Sequence, residues 1–188
     1  MEMMVAQSAR AGITGWQLNA LKAVIASDRS DSAWRDKHPD EALKYAKESV
    51  RLEETFDSLF SLARLLIDMK LFEDALPYIN RALEYYPSHA ALIADRGYVY
   101  ARRGEYEAAY KEYLRAADLG YTWAQRSVAK ALWVGRGVQK DREQAVTWLK
   151  KAAARGDVEA MDELAQTSKS GSIWNPVPPP SQRRPDTE

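Results

Sequence analysis

Gly135-Arg-Gly137 followed by Lys140 is the stretch whose residue types could do chemistry, because glycines beside a lysine can cradle a phosphate. A phosphate loop needs G-x-x-x-x-G-K-[ST] between a strand and a helix. Here no Ser or Thr follows Lys140, and the preceding "TWAQRSVAKALWV" has helical periodicity. A dinucleotide fingerprint would need a third glycine where Lys140 stands. The glycines read better as a helix exit at positive φ, with Asp141 capping the next helix. The two histidines, His38 and His89, fall in a long turn and at a helix start, away from any ligand set or nucleophile relay. The carboxylate pairs Glu53-Glu54 and Glu73-Asp74 sit at loops and helix starts, where they complement the helix dipole. No catalytic residue, metal ligand or cofactor is expected.

Composition narrows the classes further. The 188 residues suit one domain or one repeat array, and 46% apolar residues can build a sizeable core. Lys+Arg and Asp+Glu are 27 each, a balance that argues against nucleic acid as partner. With no cysteine there is no disulfide framework and no thiolate zinc site. Met1 to Arg10 shows neither a basic n-region nor a long apolar run, so a cytoplasmic location is expected unless an export signal lies outside this sequence. No stretch approaches the roughly 20 apolar residues of a membrane span.

The elements that position these residues repeat. "FEDALPYINRALEYYP" (72–87), "YEAAYKEYLRAADLGY" (106–121) and "REQAVTWLKKAAARGD" (142–157) align, and "PDEALKYAKESVRLEE" (39–54) aligns more loosely. Their anchoring alanines Ala42, Ala75, Ala109 and Ala145 recur at intervals of 33, 34 and 36 residues, the period of stacked helix pairs. Leu59, Leu62, Ala63, Leu66 and Ile67 follow helical spacing, and so do Ala75, Ile79, Ala82 and Leu83 after a short turn. Strand-like alternation is absent. Pro87 and Ser88 stop one pair and start the next.

Residues 90–121 resemble a tetratricopeptide repeat, with Gly97, Tyr100, Gly104, Tyr106, Ala109, Tyr113 and Ala116 at that family's spacings. Residues 56–89 match less strictly, with Ala63 in place of the usual glycine. Residues 120–156 resemble a Sel-one-like repeat through Ala124, Gly135-x-Gly137-Val138, Asp141, Ala145, Trp148, Ala152-Ala153 and Gly156. Its usual Leu-Gly reads Val128-Ala129 here. The resemblance implies an all-α fold, an α-solenoid of antiparallel helix pairs wound as a right-handed superhelix. It divides the chain into an N-terminal extension (1–12), a variant tetratricopeptide repeat (13–55), two further ones (56–89 and 90–121), a Sel-one-like repeat (122–156), a partial Sel-one-like helix (157–168) and a Pro-rich tail (169–188). In the variant repeat, Trp16 to Ala26 reads as the first helix and 27–40 as a lengthened turn, as in some bacterial members.

Such arrays imply a protein or peptide partner held against the first helices of the pairs. Helical register selects Phe60 and Arg64, then Tyr98 and Arg102, then Arg126, Lys130 and Trp133, a stripe of cations interleaved with aromatics. The competing reading makes Phe60 and Trp133 partly core and pairs the cations with Asp57, Asp68 or Asp95. Family members that clamp a C-terminal carboxylate use lysines and asparagines where this chain has Phe60, Arg64, Ala94 and Tyr98, so that clamp is not expected. The leading expectation is a non-enzymatic interaction scaffold. Its alternatives are a self-assembling homo-oligomer or a repeat region of a larger enzyme. The Pro-rich tail has two readings: Ile173 and Trp174 cover the end of the last pair near Val158, Met161 and Leu164, or the tail is a free linker.

Overall fold

The computed structural model describes residues 15–170. The N-terminal extension and the tail residues Ile173 and Trp174 lie outside them. Nine α-helices and no strand occur among the described residues: α1 (Gly15–Arg35), α2 (Pro39–Leu52), α3 (Phe56–Asp68), α4 (Phe72–Tyr85), α5 (Ala90–Arg102), α6 (Tyr106–Asp118), α7 (Thr122–Val134), α8 (Arg142–Ala154) and α9 (Val158–Ser170). They fall into two compact units that divide after Glu105.

In the first unit, α1 packs on α2, α3 on α4, and α5 on α4, while α1 also touches α3 and α3 touches α5. The first helices of successive pairs therefore lie side by side on one face. The α1–α2 seam is built from small residues. Ala23, Ala26, Ala33, Ala42 and Ala46 are buried, which lets the two backbones approach closely. Two hydroxyls bond across it: Ser30 Oγ donates to the Ala42 carbonyl at 3.0 Å and Ser49 Oγ to the Ala23 carbonyl at 2.9 Å. Leu59, Leu62 and Leu66 of α3, Ile79 of α4, and Leu92, Ile93 and Val99 of α5 are fully buried and form the core of this unit. Thr55 and Ser58 start α3 with a reciprocal capping box.

The segment expected as a lengthened turn is mostly helix. α1 continues through Arg35, and only Asp36 to His38 turn. The physical reason lies in Ala23, Ala26, Ser30 and Ala33, whose helical spacing carries one buried stripe straight across residues 27–33.

Helix exits share one device. After α1, α3 and α5 the chain takes one residue at positive φ, namely Lys37 (63°), Lys70 (62°) and Gly104 (83°). The next N–H then reaches back to close the helix: His38 to Ala33 O, Leu71 to Leu66 O and Glu105 to Tyr100 O, at 2.8–2.9 Å. Two of these positions hold lysine, which tolerates the left-handed region at a cost that glycine avoids.

In the second unit, α6 packs on α7, α7 on α8 and α8 on α9. Gly135 leaves α7 at φ 75°, Gly137 follows at 73°, and the Asp141 carboxylate accepts the Gln144 N–H at 2.9 Å to cap α8. This stretch is a turn that joins two helices. A side chain at Gly137 would collide with the Tyr106 main chain at the start of α6. Arg136 lies over the Tyr106 ring at 5.0 Å and braces the same contact.

Candidate functional site

Between α1 and α3 lies a concavity of about 240 Å³ lined by Ser30, Asp31, Trp34, Phe60, Ser61, Arg64, Leu65 and Asp68. Its floor is fixed by the α1–α2 seam, since Ser30 lines the concavity and bonds to α2. Its walls are aromatic and charged. Phe60 is held by stacking on Phe56 (centroids 5.6 Å apart) and by an edge contact with His89 (5.4 Å). Tyr86 closes the same cluster edge-on against Phe56 at 4.7 Å. His89 caps α5, its Nδ1 accepting the Leu92 N–H at 3.2 Å. The Arg64 guanidinium lies over the Phe60 ring, 5.8 Å from the centroid.

Asp95 of α5 adds a second layer of charge. Burial pushes its carboxyl above the ordinary value, and the neighbouring Asp68 pushes it the same way. Arg64 and His89 pull it back. Its Oδ2 is buried without a hydrogen-bond partner.

The seven residues chosen by helical register separate into distinct environments. Phe60 and Arg64 meet at the concavity. Tyr98 and Arg102 turn instead to Phe72, which contacts the Tyr98 ring edge-on at 6.0 Å and lies under Arg102 at 5.4 Å. In the second unit, Trp133 is only 4% exposed and carries Arg142 on its ring at 4.9 Å, so it serves the core. Arg126 pairs with Asp157 at 3.0 Å, and Asp157 also caps α9 by accepting the Ala160 N–H at 2.9 Å. That cation is therefore spent on holding a helix start. Lys130 is exposed. Trp34 and Asp31, which line the concavity, escape a reading of 27–40 as turn. The signal that exposes them is the alanine–serine stripe running through that segment.

Among the described residues no group of three or more His, Asp and Glu is placed to hold a metal ion, and no helix is long and apolar enough to cross a membrane.

A family profile described as "Tetratricopeptide repeat" matches residues 56–89, the span of α3 and α4. The Drosophila melanogaster "Protein O-mannosyl-transferase Tmtc3" is 39% identical over 62 residues, 32% of this chain and 7% of that protein. Among solved structures, a Sel1 repeat protein from Oxalobacter formigenes superposes with a TM-score of 0.59 at 21% identity, over 79% of this chain and 64% of that one. YrrB, described as a tetratricopeptide-repeat protein with an unusual peptide-binding site, gives 0.60 at 21% identity, over 78% and 74%. The chain thus spans a small part of the curated relative it matches and just under two thirds of the Sel1 repeat protein. The profile match and the superpositions agree on the architecture: the chain is a helical-repeat protein that carries a tetratricopeptide repeat at 56–89 in the α-solenoid fold of tetratricopeptide and Sel1-like repeat proteins.

Proposed function

We propose that this protein is a non-enzymatic scaffold whose first unit binds an extended segment of a protein partner along the α1–α3–α5 face. The observation that carries this reading is the concavity in which the half-exposed Trp34 indole, Phe60 and Arg64 converge. Aromatic side chains around an open recess are common anchors of protein recognition. The fold agrees, since helical repeats of this kind serve as interaction scaffolds, and YrrB is itself described as having a peptide-binding site. The test is a selection from a random peptide-display library on the immobilised full chain, followed by fluorescence anisotropy with the selected peptides. Trp34→Ala should weaken them by about tenfold or more. Peptides that bind Trp34→Ala and wild type equally would place binding elsewhere and end this reading.

Self-association is a second reading, favoured by the exposed Val158 (63%) and Met161 (46%) on α9. Light scattering on Val158→Ser/Met161→Ser tests it: an assembly that the double variant dissolves supports this reading, and a wild-type chain that stays monomeric at high concentration ends it.

A further inference from the structure

The charges around the concavity are not balanced. Asp31 and Asp68 line it, and neither carboxylate has an ion-pair partner among the described residues. Arg35 approaches Asp31 but donates its Nε–H to the main-chain oxygen, at 3.3 Å. The one lining cation, Arg64, is committed to the Phe60 ring and to the field of Asp95 behind it. Asp95 itself leaves Oδ2 buried and without a donor. The opening is therefore anionic, although the sequence offers Arg64 as the conspicuous charge of this helix.

The apolar wall has an opening too. Phe60 is engaged on its ring by Arg64, Phe56 and His89. Trp34 is 39% exposed, and its ring has no stacking or cation–π partner among the described residues. A partly exposed indole beside unpaired carboxylates is complementary to a group with an apolar stem and a cationic tip.

We infer that this concavity takes a basic side chain, lysine or arginine, presented by the partner segment, with its stem against Trp34 and its cation facing Asp31 and Asp68. This rests on the peptide-binding reading above and gives it a substrate class. Arg64 then acts as a gate against the wrong charge distribution: it anchors no acidic residue, and it moderates the pull on the basic one. Guanidinium and ammonium share the chemistry, and the planar guanidinium adds stacking on the indole.

The experiment uses the full chain and the peptides selected on it. The selected sequences should share a Lys or Arg, and replacing that residue by Gln should weaken binding about tenfold. Asp31→Asn/Asp68→Asn should weaken the parent peptide by a similar factor and leave the Gln-substituted peptide nearly unchanged, the signature of direct coupling. Both aspartates are exposed, so the isosteric amides leave the fold in place. Arg64→Gln should tighten the parent peptide by up to about fivefold, and added salt should loosen it. If the peptides lose affinity in Trp34→Ala yet share no basic residue, or ignore the double Asn variant, the basic-side-chain inference is wrong while the peptide-binding face stands. A loss of binding in Arg64→Gln overturns it as well, in favour of an acidic ligand. Should no peptide depend on Trp34, or none be selected, both fall together.

Discussion

His89 stands edge-on to Phe60, ring centroids 5.4 Å apart, and so ties the cap of α5 to the wall of the concavity on α3. Phe60 thus works both as packing and as lining, which separates it from Arg64 beside it. Phe60→Ala should cost about 2–3 kcal/mol, less than a fully buried phenylalanine because the ring is only half-buried. Arg64→Ala should cost under about 1 kcal/mol, as its side chain is exposed. Urea unfolding of the two variants checks the contrast, and equal losses would contradict it.

Lys70 occupies the left-handed exit of α3 at φ 62°, where Gly104 stands at the exit of α5. Lys70→Gly relieves the strain and keeps the closing bond from Leu71 N–H to Leu66 O. Part of the gain is offset by the freer unfolded chain. The net stabilisation expected is about 0.5–1 kcal/mol, read as a melting temperature raised by about 1–3 °C. A lowered melting temperature would show that the Lys70 side chain contributes more than its backbone costs.

Gly137 and Gly104 both have positive φ, but only Gly137 lies against another backbone. Gly104→Ala should cost about 1 kcal/mol in backbone strain. Gly137→Ala adds a collision with the Tyr106 main chain that no rotamer change relieves, and should cost more than about 2 kcal/mol. Chemical denaturation in parallel decides whether the close approach adds to the strain.

Asp95 makes stability depend on pH in the direction opposite to a paired carboxylate. Its folded-state affinity for a proton lies above the ordinary value of 3.8, chiefly through burial. Between that value and the raised one, the folded state holds more protons than the unfolded state, so stability falls as pH rises through this window. The cost persists at neutral pH. Asp95→Asn should then stabilise the protein at pH 7, and by progressively less as the pH approaches 4. Unfolding midpoints at the two pH values test the sign. A destabilised variant at pH 7 would mean that the attraction of Arg64 and His89 outweighs burial.

Local signals in the sequence carried much of this architecture. Asp141 caps α8, Gly135 ends α7, and the leucines of α3 face the core as their spacing requires. These are short-range effects that a few neighbouring residues decide. The environments that the sequence leaves open depend on contacts between helices. The hydroxyls and charges of residues 27–35 resemble a turn, and only burial against α2 makes them helix. Trp133 and Arg126 fall on the same register as Phe60 and Arg64, yet Arg142 and Asp157 claim them. The anionic character of the concavity was hidden for the same reason, since Asp31 and Asp68 come together only when α1 lies beside α3.

The two serine bonds of the α1–α2 seam have a mechanical meaning. A face of alanines is smooth, without the ridges by which larger side chains lock helices in register, so one helix can slide along the other at little loss of contact. Ser30 and Ser49 act as a pair of dowels, each helix offering one hydroxyl to a carbonyl of the other, 12 and 26 residues apart in the chain. A slip by one turn would break both. Because Ser30 is followed at once by Asp31 and, one turn on, by Trp34, these hydroxyls set where the indole and the carboxylate stand against Phe60 and Asp68. Two small polar groups in the buried seam, one on each helix, thereby calibrate the distances across the open side of α1.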